Sequence, residues 1–221
     1  MRRSPRAHRL VTPLVVATLA ACGEPPSTAG LEAAIRERLA KTPATYGIAF
    51  RDLETGAALD LNGDTVLAAN LLVGLVSADS VQATIERMGT TRMRVLRGVE
   101  DLKAYERGLN NTATARDVAV WMAALARGDA VSEEASAEMV EILKRDEFRD
   151  RIPAGVPEGT PVANKVGFIT AVDHDAAIVY PPGREPHVLV VLTSGIAEPE
   201  RSRRVISDVS RIVWDWVMTD R

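Results

Sequence analysis

Strand-like segments fall into two groups near opposite ends of the 221-residue chain, and helix-forming segments occupy the stretch between them. The first group is Tyr46–Phe50 with Ala57–Leu61, and the second is Val162–Ile169, Ala176–Tyr180 and Val188–Leu192. Turn-like sequences rich in glycine, proline or aspartate join neighbours within the groups, which is typical of antiparallel hairpins. The order therefore predicts one antiparallel sheet built from both ends of the chain, with a helical insertion between its halves.

Apolar residues recur at helical spacing in the segments that flank and separate the strands. A helix at each end of the domain would pack on the sheet, and the last has a long apolar stripe. The fold class is therefore α+β, an antiparallel sheet flanked by terminal helices and joined to a helical region. The predicted helices are Leu31–Leu39, Ala78–Met88, one capped by Thr114, one from the cap Ser132 to about Lys144, and Val205–Val217.

The N-terminal segment has the features of a bacterial export signal. Arginines precede an apolar stretch, Leu10 to Ala21, which at roughly a dozen residues is shorter than the about twenty that a membrane span needs. The stretch ends in Leu19-Ala20-Ala21-Cys22, which resembles a lipobox, and Cys22 is the only cysteine. We expect a lipoprotein signal peptide over 1–21, a tether over 22–30 that begins at lipidated Cys22, and one domain over 31–221. An ordinary signal peptide with an incidental cysteine is the alternative.

Charge and cysteine content exclude several kinds of partner and site. A net charge of −3 gives no indication of a nucleic-acid partner, and one cysteine excludes an internal disulfide and a cysteine-based zinc site. His174 lies in Asp173-His174-Asp175, but His187 is the only other histidine outside the signal segment. Because a catalytic zinc site needs about three protein ligands, we interpret His174 as a structural histidine and predict no metal and no cofactor.

Three local strings carry further information about fold and chemistry. They are Tyr46–Asp52 with Thr55-Gly56, Gly108–Thr112 before Ala115-Arg116-Asp117, and Asn164–Thr170 before His174-Asp175. Together and in this order they resemble the class A serine β-lactamases, within the penicillin-recognising serine hydrolases. The resemblance covers nearly all of the predicted domain. It implies a β-lactamase/transpeptidase-like fold and, as the family activity, β-lactam hydrolysis through an acyl-serine.

The residues that this family uses as nucleophile and proton shuttle are missing. Ser-x-x-Lys would place a hydroxyl and an amine one helical turn apart, but the residues three positions before the four lysines are Arg38, Glu100, Glu141 and Val162. Neither Ser-x-Asn nor Tyr-x-Asn occurs. Where the family has both motifs, Thr65–Ala69 runs directly into Asn70–Val73. We interpret this as an internal deletion near Ala69/Asn70 that truncates the helical region.

Part of the family's substrate-binding strand is retained. Lys165-Val166-Gly167 resembles the Lys-Thr-Gly element, which implies that these residues bind a substrate carboxylate. Valine replaces threonine, which removes a hydrogen bond to a charged group worth roughly 1.5–3 kcal/mol. Glu106, at Glu-x-x-Leu-Asn spacing, is the candidate for the loop glutamate of class A enzymes, with Glu100 nearby as the alternative. The loop is short here, which favours a solvated surface glutamate instead.

The sequence therefore predicts a class A β-lactamase-like domain whose catalysis is impaired, because carboxylate binding by Lys165 alone supplies no covalent step. The expected ligands are a β-lactam or a cell-wall peptide. The expected location is the periplasmic side of the bacterial cell envelope, with membrane contact through lipidated Cys22. Two other interpretations stay open: a non-catalytic envelope binding or scaffold lipoprotein, and the non-functional product of a deleted gene.

Overall fold

The computed structural model describes residues 25–63, 67–68, 78–97 and 101–219. The expected signal peptide, Cys22, Glu100 and the Ala69/Asn70 junction lie outside these ranges. The strands in chain order are β1 (Thr45–Asp52), β2 (Ala58–Leu61), β3 (Leu67–Ala68), β4 (Thr112–Ala113), β5 (Val162–Ile169), β6 (Val172–Val179) and β7 (His187–Ser194). The helices are α1 (Ala29–Ala40), α2 (Ala78–Arg87), α3 (Leu102–Glu106), α4 (Ala115–Arg127), α5 (Glu133–Leu143) and α6 (Pro199–Thr219), with a 3-10 helix over Ile152–Gly155.

One five-stranded antiparallel sheet organises the domain, in the order β2-β1-β7-β6-β5. The two ends of the chain meet at its centre, where β1 pairs with β7 from Thr45 opposite Ser194 to Asp52 opposite His187. β3 and β4 form a separate two-stranded ladder. The prediction of an α+β fold with an antiparallel sheet drawn from both ends of the chain is confirmed.

Helices cover both faces of the sheet. On one face α1 and α6 pack together and bury apolar side chains such as Ile35, Ile206 and Val213 against the strands. On the other face α4 and α5 contact β1, β5, β6 and β7, with Ala119 and Met122 of α4 in the core. β7 is buried on both faces along nearly its whole length, as its continuous apolar sequence predicts. No described helix is both long enough and apolar enough to cross a membrane.

The predicted caps of α4 and α5 are present. The Thr114 hydroxyl accepts the Asp117 N–H at 3.0 Å, and the Ser132 hydroxyl accepts the Ala135 N–H at 3.1 Å. Asp117 is itself buried, and its carboxylate accepts three further backbone N–H groups, those of residues 91, 92 and 93, at 2.7–3.1 Å. The start of α4 is therefore fixed to the loop that follows α2.

Several elements differ from the sequence-based expectation, among them β3, β4 and the 3-10 helix, which were not predicted. β6 begins at Val172 rather than Ala176, because the polar run Asp173-His174-Asp175 is buried and pairs with both neighbouring strands. The short helix α3 was not expected, since five residues are too few to show a helical period. Its one local signal is Asp101, whose side chain accepts the Ala104 N–H at 2.9 Å.

His187 is a buried ionisable group where the C-terminal part of α6 meets the sheet. It is 1% exposed and packs against Phe50, which in turn contacts Trp216 edge-on. Its Nδ1 has no hydrogen-bond partner among the described residues. Burial lowers the pKa of His187 from 6.5 to about 4, and the charge of Asp52 opposes this shift. The folded protein therefore holds this imidazole neutral where the unfolded chain would be protonated.

Stability should consequently fall on acidification through His187. The contribution is fully present above pH 6.5 and is lost as the pH falls to 4, which amounts to about 3 kcal/mol. Urea unfolding of the wild type and of His187→Leu at pH 7.5 and pH 4 measures it, because all other groups titrate in both proteins. We expect the wild type to lose about 3 kcal/mol more than the variant. Parallel losses would contradict the assignment.

Candidate functional site

The candidate substrate-binding residues Lys165, Val166 and Gly167 lie on β5, an edge strand of the sheet. Ile169 and Val172 close a two-residue turn to β6, and at the other end the Tyr180 N–H donates to the Pro161 carbonyl at 3.1 Å. Backbone groups of successive residues in an antiparallel strand point alternately toward and away from a given neighbour. Residues 162, 164, 166 and 168 therefore turn their N–H and C=O groups outward from the sheet. Arg149 already donates to the Val162 carbonyl, so the positions left for an extended ligand are those from residue 166 onward.

Lys165 brings a positive charge to this open edge. The side chain is exposed, and its Nζ donates to the Val166 carbonyl at 2.8 Å. In the part of the chain that the structure describes, no carboxylate and no hydroxyl lies within hydrogen-bonding distance of this ammonium group. An ammonium group has three donors, so a ligand carboxylate can bind without displacing the contact to Val166. The structure thus places an accessible cation beside the outward-facing backbone groups of β5.

Neither Gly167 nor Val166 places a side chain where a ligand would bind along β5. A Cβ atom added at Gly167 would meet no atom within 4 Å, whereas Val166 is buried with 7% exposure. The valine that replaces the family's threonine therefore contributes to packing and offers no hydroxyl. Recognition of a carboxylate here depends on the Lys165 ammonium and on backbone N–H groups.

The buried side chain of Asn164 holds β5 in place from the sheet face opposite to Lys165. Its Nδ2 donates to the Phe148 carbonyl at 3.1 Å and to the Asp175 carboxylate at 3.3 Å. Its Oδ1 accepts from Nη1 of Arg149 at 3.0 Å, and the same Nη1 donates to the Val162 carbonyl at 3.0 Å. The segment around Phe148 therefore covers the beginning of the β5 edge and leaves the edge open from residue 166 onward.

A buried ionic cluster lies on the same face of the sheet as the Asn164 side chain. Arg151 is 1% exposed, and its guanidinium pairs with Asp173 and with Asp150, both at 2.6 Å. Asp175 accepts the Ile152 N–H at 3.0 Å. Burial raises the pKa of Asp175 to about 7, and the hydrogen bonds from Ile152 and Asn164 and the charge of Arg151 oppose the shift. Sequence reasoning missed this cluster, because Arg151 lies 22 residues before Asp173 and no local spacing indicates that they pair.

The structure does not join the candidate loop glutamate to this site. Glu106 is exposed at the end of α3. β5 packs mainly against β6, α5 and the 3-10 helix, and among the described residues no hydrogen bond or ion pair joins Glu106 with Lys165. His174, which the sequence analysis interprets as a structural histidine, is buried in β6. Its Nδ1 lies 2.7 Å from the Asp173 carbonyl and accepts the Thr193 N–H at 3.2 Å. Within the described ranges no three His, Cys, Asp or Glu residues form a group that could hold a metal ion.

Comparison with known proteins relates this geometry to a family. Residues 66–217 match the profile described as "Beta-lactamase enzyme family". A β-lactamase of Bacillus licheniformis is 27% identical over 177 residues, which are 75% of this chain and 58% of that protein. β-Lactamase 3 of Bacillus cereus is 29% identical over 151 residues, 66% of this chain and 48% of the relative. The chain thus spans about half the length of the curated relatives it matches.

A solved structure shows the same fold. A mutant of PBP-A, described as an acyl-enzyme complex with penicillin G, superposes with a TM-score of 0.73 at 19% identity. The match covers 86% of this chain and 96% of that one. The β-lactamase/transpeptidase-like architecture that the three sequence strings imply is therefore confirmed.

Proposed function

The chain belongs to the beta-lactamase enzyme family, and from this premise we propose that it binds β-lactams or related cell-wall peptides at β5 without turning them over. The proposal has two parts. One is the loss of covalent catalysis, and the other is the retention of carboxylate binding by Lys165. The observation that carries the first part is the lack of any Ser-x-x-Lys in the 221 residues.

Loss of catalysis follows from what acyl transfer requires. A serine hydroxyl is a weak nucleophile at neutral pH, and an adjacent base must take its proton as it attacks. The lysine of β5 has no described hydroxyl beside it, and its Nζ contacts the Val166 carbonyl. Glu106, the candidate for positioning a hydrolytic water, is exposed on α3 and has no described hydrogen bond or ion pair with Lys165. The first half of the family's double displacement therefore lacks its nucleophile and base.

Retention of binding is supported by the edge of β5. A ligand carboxylate would accept from the Lys165 ammonium group, and an adjacent ligand amide could pair with the outward backbone groups of residue 168. The buried contacts of Asn164 hold this strand in place without a ligand. Penicillin G, the ligand named for the PBP-A mutant, combines one carboxylate with an amide side chain, so it is a suitable probe.

We also propose that the protein is an exported lipoprotein that acts at the periplasmic side of the bacterial envelope. The support is the sequence pattern alone: arginines, a short apolar stretch, and a lone cysteine at the end of a lipobox-like string. A lipid-anchored protein that binds cell-wall peptide without cleaving it would act as an envelope scaffold. A peptide of this class carries the carboxylate that the Lys165 site accepts.

Substitution of Lys165 tests the binding part. We expect Lys165→Ala to weaken benzylpenicillin binding by about 10- to 100-fold, because it removes a hydrogen bond to a charged group, and Lys165→Arg to retain most of the affinity. NMR titration of the purified protein supplies the dissociation constants. Lys103→Ala, which removes an exposed lysine of α3, is the matched control. Equal binding by the wild type and Lys165→Ala would show that the ligand does not use this cation.

A further inference from the structure

Two phenylalanines lie exposed beside the open end of β5. The chain has only three phenylalanines, and Phe148 and Phe168 are 47% and 52% exposed. Their rings contact each other edge to face, with centroids 5.6 Å apart and planes at 72°. Large apolar side chains are usually buried, so two that touch each other at the surface next to a charged site indicate a binding surface.

Buried polar groups hold the Phe148/Phe168 pair in place. The guanidinium of buried Arg151 lies 5.1 Å from the centroid of the Phe168 ring. Arg151 in turn is fixed by Asp173 and Asp150. The Phe148 carbonyl accepts from the buried amide of Asn164. Both rings are therefore preorganised, and a ligand would not have to order them on binding.

The Phe168 side chain lies on the same face of the sheet as Asn164 and opposite to Lys165, so the two sites are connected along the outward edge of β5, where groups of an edge-bound ligand alternate between the two faces. The Lys165 ammonium lies at the Val166 carbonyl, and residue 168 is the next position whose backbone groups point outward, about 7 Å farther along the strand. A carboxylate bound at Lys165 would direct the rest of an extended ligand along this edge toward the Phe148/Phe168 pair.

We propose that the Phe148/Phe168 pair is a specificity subsite that selects carboxylate ligands bearing an aromatic acyl group over those bearing a small aliphatic one. This inference rests on the proposed function, because it requires the carboxylate to bind at Lys165. An aromatic acyl group would stack on the exposed parts of the two rings, in the offset or edge-to-face geometry that aromatic pairs prefer.

Two penicillins that differ only in the acyl group test the subsite. Benzylpenicillin carries a phenylacetyl group and 6-acetamidopenicillanic acid an acetyl group, while the carboxylate and the ring system are the same. NMR titration should show that the wild type binds benzylpenicillin about 2- to 10-fold more tightly. Phe168→Ala and Phe148→Ala should each reduce this ratio toward one. Ile142→Ala, an exposed apolar residue of α5, should leave the ratio unchanged.

The outcomes separate the inference from its premise. Equal affinity of the wild type for both penicillins, or an unchanged ratio in both phenylalanine variants, overturns the subsite alone. Failure of either penicillin to bind overturns the proposed function and the subsite with it. A concentration-dependent dimer that Phe168→Ala abolishes would assign the pair to contact with a second copy, which also overturns the subsite. Lys165→Ala should weaken both ligands by the same factor and so preserve the ratio.

Discussion

Replacement of Arg151 by methionine is expected to lower the free energy of unfolding by about 3–5 kcal/mol, as is typical when one partner of a buried ion pair is removed. Arg151 is 1% exposed, and its partner Asp173 is only 7% exposed. Without the guanidinium, the buried Asp173 carboxyl group would lose its ion-pair partner, and the buried Asp175 would lose a stabilising charge. Urea denaturation at pH 7.5 measures the change.

The ionic origin of this effect can be tested with a double variant. The double variant Arg151→Met with Asp173→Asn lacks the buried Asp173 charge, although Asp150 and Asp175 still lose the guanidinium, so we expect roughly half of the lost stability to return. Arg211→Met removes an exposed arginine of α6 and should change stability by less than about 0.5 kcal/mol. A loss of under about 1 kcal/mol for Arg151→Met would show that the pair contributes little to the fold.

Local sequence signals predicted much of the architecture. Thr114 and Ser132 predicted the starts of α4 and α5, because a hydroxyl just before an apolar helical pattern can accept the free N–H groups of the first turn. The apolar stripe of α6 and the continuous apolar run of β7 predicted a helix with one buried face and a strand with two. Each signal is contained in a single element, so one sequence suffices to detect it.

Interactions between distant residues could not be predicted in this way. Asp173, His174 and Asp175 are polar and precede the predicted strand Ala176–Tyr180, yet they form part of β6. Arg151 lies 22 residues earlier in the chain and pairs with Asp173. Only the tertiary structure shows that these polar groups satisfy one another and can be buried.

The same limit applied to the site. The string Asn164–Thr170 identified Lys165, Val166 and Gly167, and the structure places them on an accessible edge strand. Spacing alone proposed Glu106, which is exposed on α3 with no described hydrogen bond or ion pair to Lys165. Phe148 lies in a loop and Phe168 in β5, and no regular spacing in the sequence indicates that their side chains are in contact.

The largest effect that we expect is the failure to hydrolyse β-lactams. Enzymes typically accelerate their reactions by about a millionfold or more. Where a nucleophile forms an acyl intermediate, covalent catalysis contributes much of this acceleration. This chain has no serine three residues before any of its four lysines. If the proposed function is correct, the chain retains binding alone, and binding of the ground state does not lower the barrier.

Benzylpenicillin hydrolysis by the purified protein should therefore not exceed hydrolysis in buffer. The control is the same protein after heat unfolding, which contains the same side chains without the fold. The β-lactamase of Bacillus licheniformis, under identical conditions, confirms that the assay detects turnover. Hydrolysis that requires the folded protein would mean that another group attacks the ring.

Intact-protein mass spectrometry after incubation with benzylpenicillin tests the loss of the acyl-serine step most directly, because an acyl-enzyme adds the full mass of the antibiotic even when turnover is slow. We predict a single peak at the mass of the unmodified protein, together with reversible, Lys165-dependent binding in the NMR titration. A stable adduct that maps to any serine or threonine of the folded chain would contradict this prediction.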